Sequence, residues 1–261
     1  MAEPEYGVIE PGTIEPGTII KVPHKQKPIV VSVFGPNGYL ENVKEMRRHF
    51  SCLPYYTDIT FRPATTSESI SASVYDFKNL ARPRIFDSEG LQIGRITRTS
   101  EGVFANALDE NSNPIVDESV LKNLLNECKN INGIWLYQGD NPNLRDFGFA
   151  PYDTFKQSEL DAGQDAGDFV EEGLARVLEH TEGCAVSLQQ IASRKNYSMG
   201  VGVDRFDSVK EPVQRVASLS SGWGNMDIDW LAVGGDNRDM YDDGYAFGVL
   251  EKDAEGVAKN F

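Results

Sequence analysis

The sequence predicts an α+β (or α/β) fold, a mixed sheet of about six to eight strands with four or five helices, and a late antiparallel layer is compatible with it. Three observations predict it. The segment 29–61 reads as strand–helix–strand, 117–128 and 165–182 carry helical apolar stripes, and the last third ends in three apolar strands at 212–219, 228–234 and 244–250. No Pro/Ser-rich linker follows residue 28, which predicts an irregular arm over 1–28 and one compact domain over 29–261.

Within the arm, IEPGTIEPGT repeats a Pro-Gly turn signal, and Ile14, Ile19 and Ile20 offer a docked edge strand. IVVSVF (29–34) is a continuous β-branched run, as a buried strand requires, and GPNG (35–38) breaks it. Over 39–50, Leu40, Val43, Met46 and Phe50 share one side of a helix, with Glu41, Glu45 and Arg48 outward. DITF (58–61) completes a unit of the kind that builds parallel strands. Residues 67–81 fit two periods. Ile70, Val74 and Phe77 make a helical face, yet Ile70, Ala72 and Val74 alternate with serines as a strand would, and we take the helix.

A hairpin is expected over 83–99 with DSEG as its turn, then a strand at 103–108. In 117–128, Val120, Leu121, Leu124, Leu125 and Cys128 form a stripe behind Asp117 at the N-cap. GIWLYQ (133–138) follows the Asn132-Gly133 turn as a core strand. In 165–182, Phe169, Val170, Leu174, Val177 and Leu178 form the second stripe, with Asp168 and Glu171 at capping-box spacing and Gly183 just beyond. A further helix is expected over 185–194.

Net charge is −15 and unevenly placed: residues 1–100 hold 12 Lys/Arg and 11 Asp/Glu, residues 101–261 hold 13 and 29. The acidic part repels phosphate backbones, so nucleic acid is not the expected partner and a basic protein is; with no apolar run long enough to span and no lipidation motif, a membrane is not expected either. Solubility is the commonest cause of such acidity, and salt adaptation is another. Cys52, Cys128 and Cys184 are far apart and form no C-x-x-C pair, which points to a reducing, cytoplasmic setting rather than a disulfide framework. The N-terminus lacks the basic start and apolar stretch of a signal peptide, and no apolar run is long enough for a span.

The most suggestive motif is a pair. WLYQGDN (135–141) and WLAVGGDN (230–237) each place an aspartate where a strand leaves the sheet, the position at which α/β proteins hold ligands. The second continues as DNRDMYDDG, so Asp236, Asp239, Asp242 and Asp243 lie within eight residues. Hard cations such as Mg²⁺ or Ca²⁺ want several carboxylate oxygens, and Asp140, Asp236, Asp239 and Asp243 are the candidate metal ligands. The plain alternative is turn chemistry, since Gly supplies unusual dihedrals and Asp/Asn bond back to the backbone. Asp109, Asn111, Asn113 and Asp117 match alternate positions of a calcium loop, but Pro114 and Val120 stand where Gly and Glu are needed; a turn leading into the Asp117 cap fits better. GPNG lacks the patterns of a phosphate loop and reads as a connecting turn. There is no G-x-S-x-G, and Cys128 lies on an apolar stripe.

Two stretches resemble known families. Gly235–Asp239 is similar to the G-D-x-x-D element of metal-dependent phosphoesterases, but His24, His49 and His180 sit in no matching motif, which sets that class aside. The stretch 229–250 resembles the strand–acidic turn–strand of SUKH-type immunity and regulatory proteins. It covers under a tenth of the chain and lacks that group's preceding helix with its Leu-Pro and Asn-Gly-Gly elements, so it implies no assignment. The leading expectation is a non-catalytic binding or regulatory module with an acidic surface. The competing one is a divalent-metal-dependent hydrolase using the four aspartates.

Overall fold

A computed structural model describes residues 19–24, 27–48, 61–79, 90–109, 113–155, 173–179, 198–202, 209–223, 229–234 and 243–250. Within them the strands are β1 Ile19–His24, β2 Lys27–Asn37, β3 Phe61–Pro63, β4 Leu91–Arg98, β5 Gly102–Ala105, β6 Cys128–Ile131, β7 Ile134–Tyr137, β8 Gly148–Pro151, β9 Ser198–Gly202, β10 Val213–Trp223, β11 Asp229–Gly234 and β12 Gly244–Leu250. The helices are α1 Tyr39–Arg48, α2 Thr66–Asn79, α3 Glu118–Leu124 and α4 Gly173–Glu179. The fold is α+β with a mixed sheet. Eight strands follow the order β1-β2-β12-β4-β5-β8-β7-β6, while β3, β9, β10 and β11 pair off that path.

The sheet forks at β4. One edge of β4 is taken by β10 along Leu91–Arg98. The other edge is shared: β12 pairs in parallel with Leu91 and Gln92, and β5 pairs antiparallel with Ile96–Arg98. Beyond Ala246, β12 leaves β4 and pairs with β3 instead. One arm is therefore β1-β2-β12-β3, and the other is β5-β8-β7-β6. At the fork, Ile93–Arg95 lose their strand partner on this edge, and buried backbone groups must be satisfied some other way. Thr66 Oγ donates to the Ile93 carbonyl at 2.8 Å, the Arg95 amide donates to Asn106 Oδ1 at 3.1 Å, and the Asn106 amide donates to the Arg95 carbonyl at 2.8 Å. Asn106 reaches this position with φ +51°, a conformation that asparagine tolerates better than most residues.

A β-bulge at the same place sets the faces. Ala217 of β10 stands opposite Gly94 and Ser218 opposite Gln92, so Ile93 is the extra residue. The slip lets Leu91, Ile93 and Ile96 all join the main core although their spacing breaks strict alternation. That core gathers Val31 and Val33 of β2, Phe247 and Val249 of β12, Val103 and Ala105 of β5, Ala150 of β8, Ile70 of α2, and Leu174, Val177 and Leu178 of α4. Helices α2 and α4 thus fill the space between the arms, α2 packing on β1 and β4 and α4 on β7 and β8. On the outer face, Met46 of α1 packs with Phe34, Phe61 and Ala246, and Leu121 of α3 packs with Phe104, Phe147 and Phe149.

The helix reading of 67–81 holds, because α2 spans Thr66–Asn79. Its start is a capping box: the Glu68 amide donates to Thr65 Oγ1 at 3.2 Å and the Thr65 amide to Glu68 Oε2 at 2.8 Å. Of the strand expected at 58–61 only Phe61 is described, as the first residue of β3, but the strand–helix–strand opening holds in direction. Strands β2 and β3 both run antiparallel to β12 and hence parallel to each other, but β12 lies between them. The segment 117–128 differs from its expected form. Its α-helix ends at Leu124, one 3₁₀ turn follows, and Cys128 opens β6. The cause is the Asn132-Gly133 turn, with φ +51° and +88°, which folds β6 back on β7 as a two-residue hairpin and draws Cys128–Ile131 into the ladder. Residues Ile19–His24 dock on β2 as an edge strand. The first strand of the 83–99 hairpin, the 168–171 capping box and the 185–194 helix lie outside the described residues.

Candidate functional site

Among the four candidate metal ligands, Asp140 and Asp243 are described and both are exposed; Asp236 and Asp239 lie outside the described residues. Asp140 follows β7 and Asp243 precedes β12, on different arms of the fork. Tracing strand directions through the ladder puts the two at the same end of the sheet, because β12, β4 and β8 run one way and β5 and β7 the other. Among the described residues, no group of three or more His, Cys, Asp or Glu is placed to hold a metal ion.

The first G-D-N turn has a local physical cause. Gly139 passes over the Tyr137 ring, where a Cβ would run into the phenol hydroxyl. Asn141 then caps the 3₁₀ turn Pro142–Leu144, its Oδ1 accepting from the Asn143 amide at 3.0 Å, while its own amide donates to the Tyr137 hydroxyl at 3.4 Å. Two of the three motif residues are therefore occupied in shaping the turn. Of the calcium-loop candidates in 109–117, Asn111 lies outside the described residues, and Asp109, Asn113 and Asp117 are likewise occupied. Asp109 accepts from the Asn113 amide at 2.7 Å and from Asn113 Nδ2 at 3.1 Å, and the Leu108–Pro114 bridge closes the loop. Asp117 accepts from the Ser119 amide at 2.8 Å and the Val120 amide at 3.4 Å, the N-cap its position predicts. The Ser119 hydroxyl and these amides hold the Asp117 carboxyl below its ordinary value.

GPNG opens onto a buried amide node at the same end of the sheet as Asp243. Asn42, on the first turns of α1 and fully buried, directs Nδ2 at the Asn37 carbonyl (3.1 Å), Gln92 Oε1 (2.8 Å) and the Gly244 carbonyl (2.8 Å). Gln92 Nε2 also donates to Asn37 O, at 3.1 Å. The node ties the end of β2, the start of α1, the start of β4 and the residue after Asp243 into one unit. Beside it, the Arg95 guanidinium lies 4.9 Å from the centre of the Tyr39 ring. GPNG therefore does not break the strand as expected: β2 continues through Gly35-Pro36 to Asn37, whose carbonyl is engaged by Asn42 and Gln92.

A second polar cluster joins β1, β3 and α2. Arg62 meets Glu68 with both Nη atoms at 2.7 Å, and His24 Nδ1 lies 2.9 Å from Ser71 Oγ. Burial pushes the Glu68 carboxyl up, but the Arg62 hydrogen bonds and charge, the Thr65 amide and the nearby His24 outweigh it and hold the carboxyl below its ordinary 4.5. Sequence reasoning missed Glu68, although Thr65-x-x-Glu68 ahead of an apolar run was the signal for it. Asn42 and Gln92 gave no local signal, being 50 residues apart. Cys128 is free and half-buried, and burial with the neighbouring Glu127 pushes its thiol up to about 11, so it is no nucleophile at neutral pH.

No protein-family model, no curated protein and no solved structure matches the chain. Among the described residues, no helix is long and apolar enough to cross a membrane.

Proposed function

We propose that this chain is a non-catalytic binding or regulatory protein of the cell interior, which meets a basic partner through an acidic surface. The observation that carries the reading is the charge asymmetry, 29 Asp/Glu against 13 Lys/Arg beyond residue 100. Residues 140–182 alone hold 11 acids and 3 bases. The exposure of Asp140 and Asp243 at one end of the sheet adds support. A surface of one sign draws in a partner of the other, raises its on-rate and rejects polyanions.

The test has two arms. In the first, the protein is immobilised and its captured partners are identified at low salt and again at about 0.5 M NaCl, where exposed charges more than about 5 Å apart are largely screened. Basic proteins released by salt are expected; partners without basic bias, or capture unchanged by salt, overturn the proposal. In the second, Mg²⁺, Mn²⁺ and Ca²⁺ are titrated while the melting temperature is followed. An unchanged melting temperature up to millimolar metal is expected. A rise that Asp236→Ala abolishes would instead favour the divalent-metal-dependent hydrolase, since a site formed only in the native state must stabilise it.

A further inference from the structure

We draw no further inference here: the strongest candidate, the His24–Ser71 side-chain cluster where β1 meets α2, carries nothing because the neighbouring Glu68 has both oxygens engaged by Arg62 in an ion pair that belongs to the cap of α2.

Discussion

Glu68 shows how one residue can serve a helix end and a tertiary contact together. Its carboxylate caps α2 through Thr65 and pairs with Arg62 on β3, and its side chain is 7% exposed against 29% for Arg62. Removing one partner of a fully buried pair costs about 3–5 kcal/mol, and the partial exposure of Arg62 lowers the expectation for Glu68→Gln to about 1–3 kcal/mol. The pH dependence follows from the depressed carboxyl. Stability from Glu68 is fully present above its unfolded value, near 4.5, and is lost as pH falls through the lower folded value. Urea denaturation from pH 6 downward is therefore expected to show Glu68→Gln approaching the parent protein as acid is added. A difference that stays constant with pH would contradict the pairing. Asn42 makes a different prediction. Asn42→Ala removes its hydrogen bonds to the Gly244 and Asn37 carbonyls and to Gln92 Oε1, at about 1–3 kcal/mol, and Asn42→Asp costs more because it turns a carboxylate toward three oxygen acceptors. The order Ala above Asp in unfolding free energy checks it.

At the scale of elements, the fork depends on the small size of Gly94. A Cβ there would stand 2.9 Å from Asn106 Oδ1 and 3.0 Å from Thr66 Oγ1, and both atoms are held by their own hydrogen bonds to β4. Gly94→Ala is expected to destabilise by about 1–3 kcal/mol, the usual cost of overpacking. Asn106→Gly removes one of the two obstructing atoms and suits φ +51°. A double-mutant cycle of the two should show coupling of at least about 0.5 kcal/mol, whereas additive effects would mean that Asn106 does not plug the fork. Elements were legible where a local rule acts alone. The Asp117 cap, the α1 face of Val43 and Met46, and the Leu174, Val177 and Leu178 stripe of α4 all follow from short-range patterns, and all stand as read. Cys128 was misplaced because its helical spacing from Leu124 and Leu125 competes with a hairpin, and strand pairing with Tyr137 prevails.

For the whole molecule, a net charge of −15 means that compact folding brings like charges together. Salt should relieve this, so raising NaCl from about 10 mM to about 0.5 M is expected to raise the melting temperature by a few degrees. A fall would mean that attractive pairs such as Lys122 with Glu101 and Glu118 dominate instead. The candidate site was legible only as composition. Asp140 and Asp243 announce themselves as acids beside strands, but whether carboxylates converge depends on strand order, which local pattern does not encode. By itself the sequence determined the α+β class, many of the element positions though not β6, β8 or β9, the Asp117 cap and the acidic balance, because each rests on interactions within a few residues or on charge alone. Tertiary structure decided that β12 enters between β2 and β3, that β12 and β5 share one edge of β4, and that Asn42 and Gln92 meet. Each is a pairing over long sequence separation, chosen by which buried backbone and side-chain groups can be satisfied together.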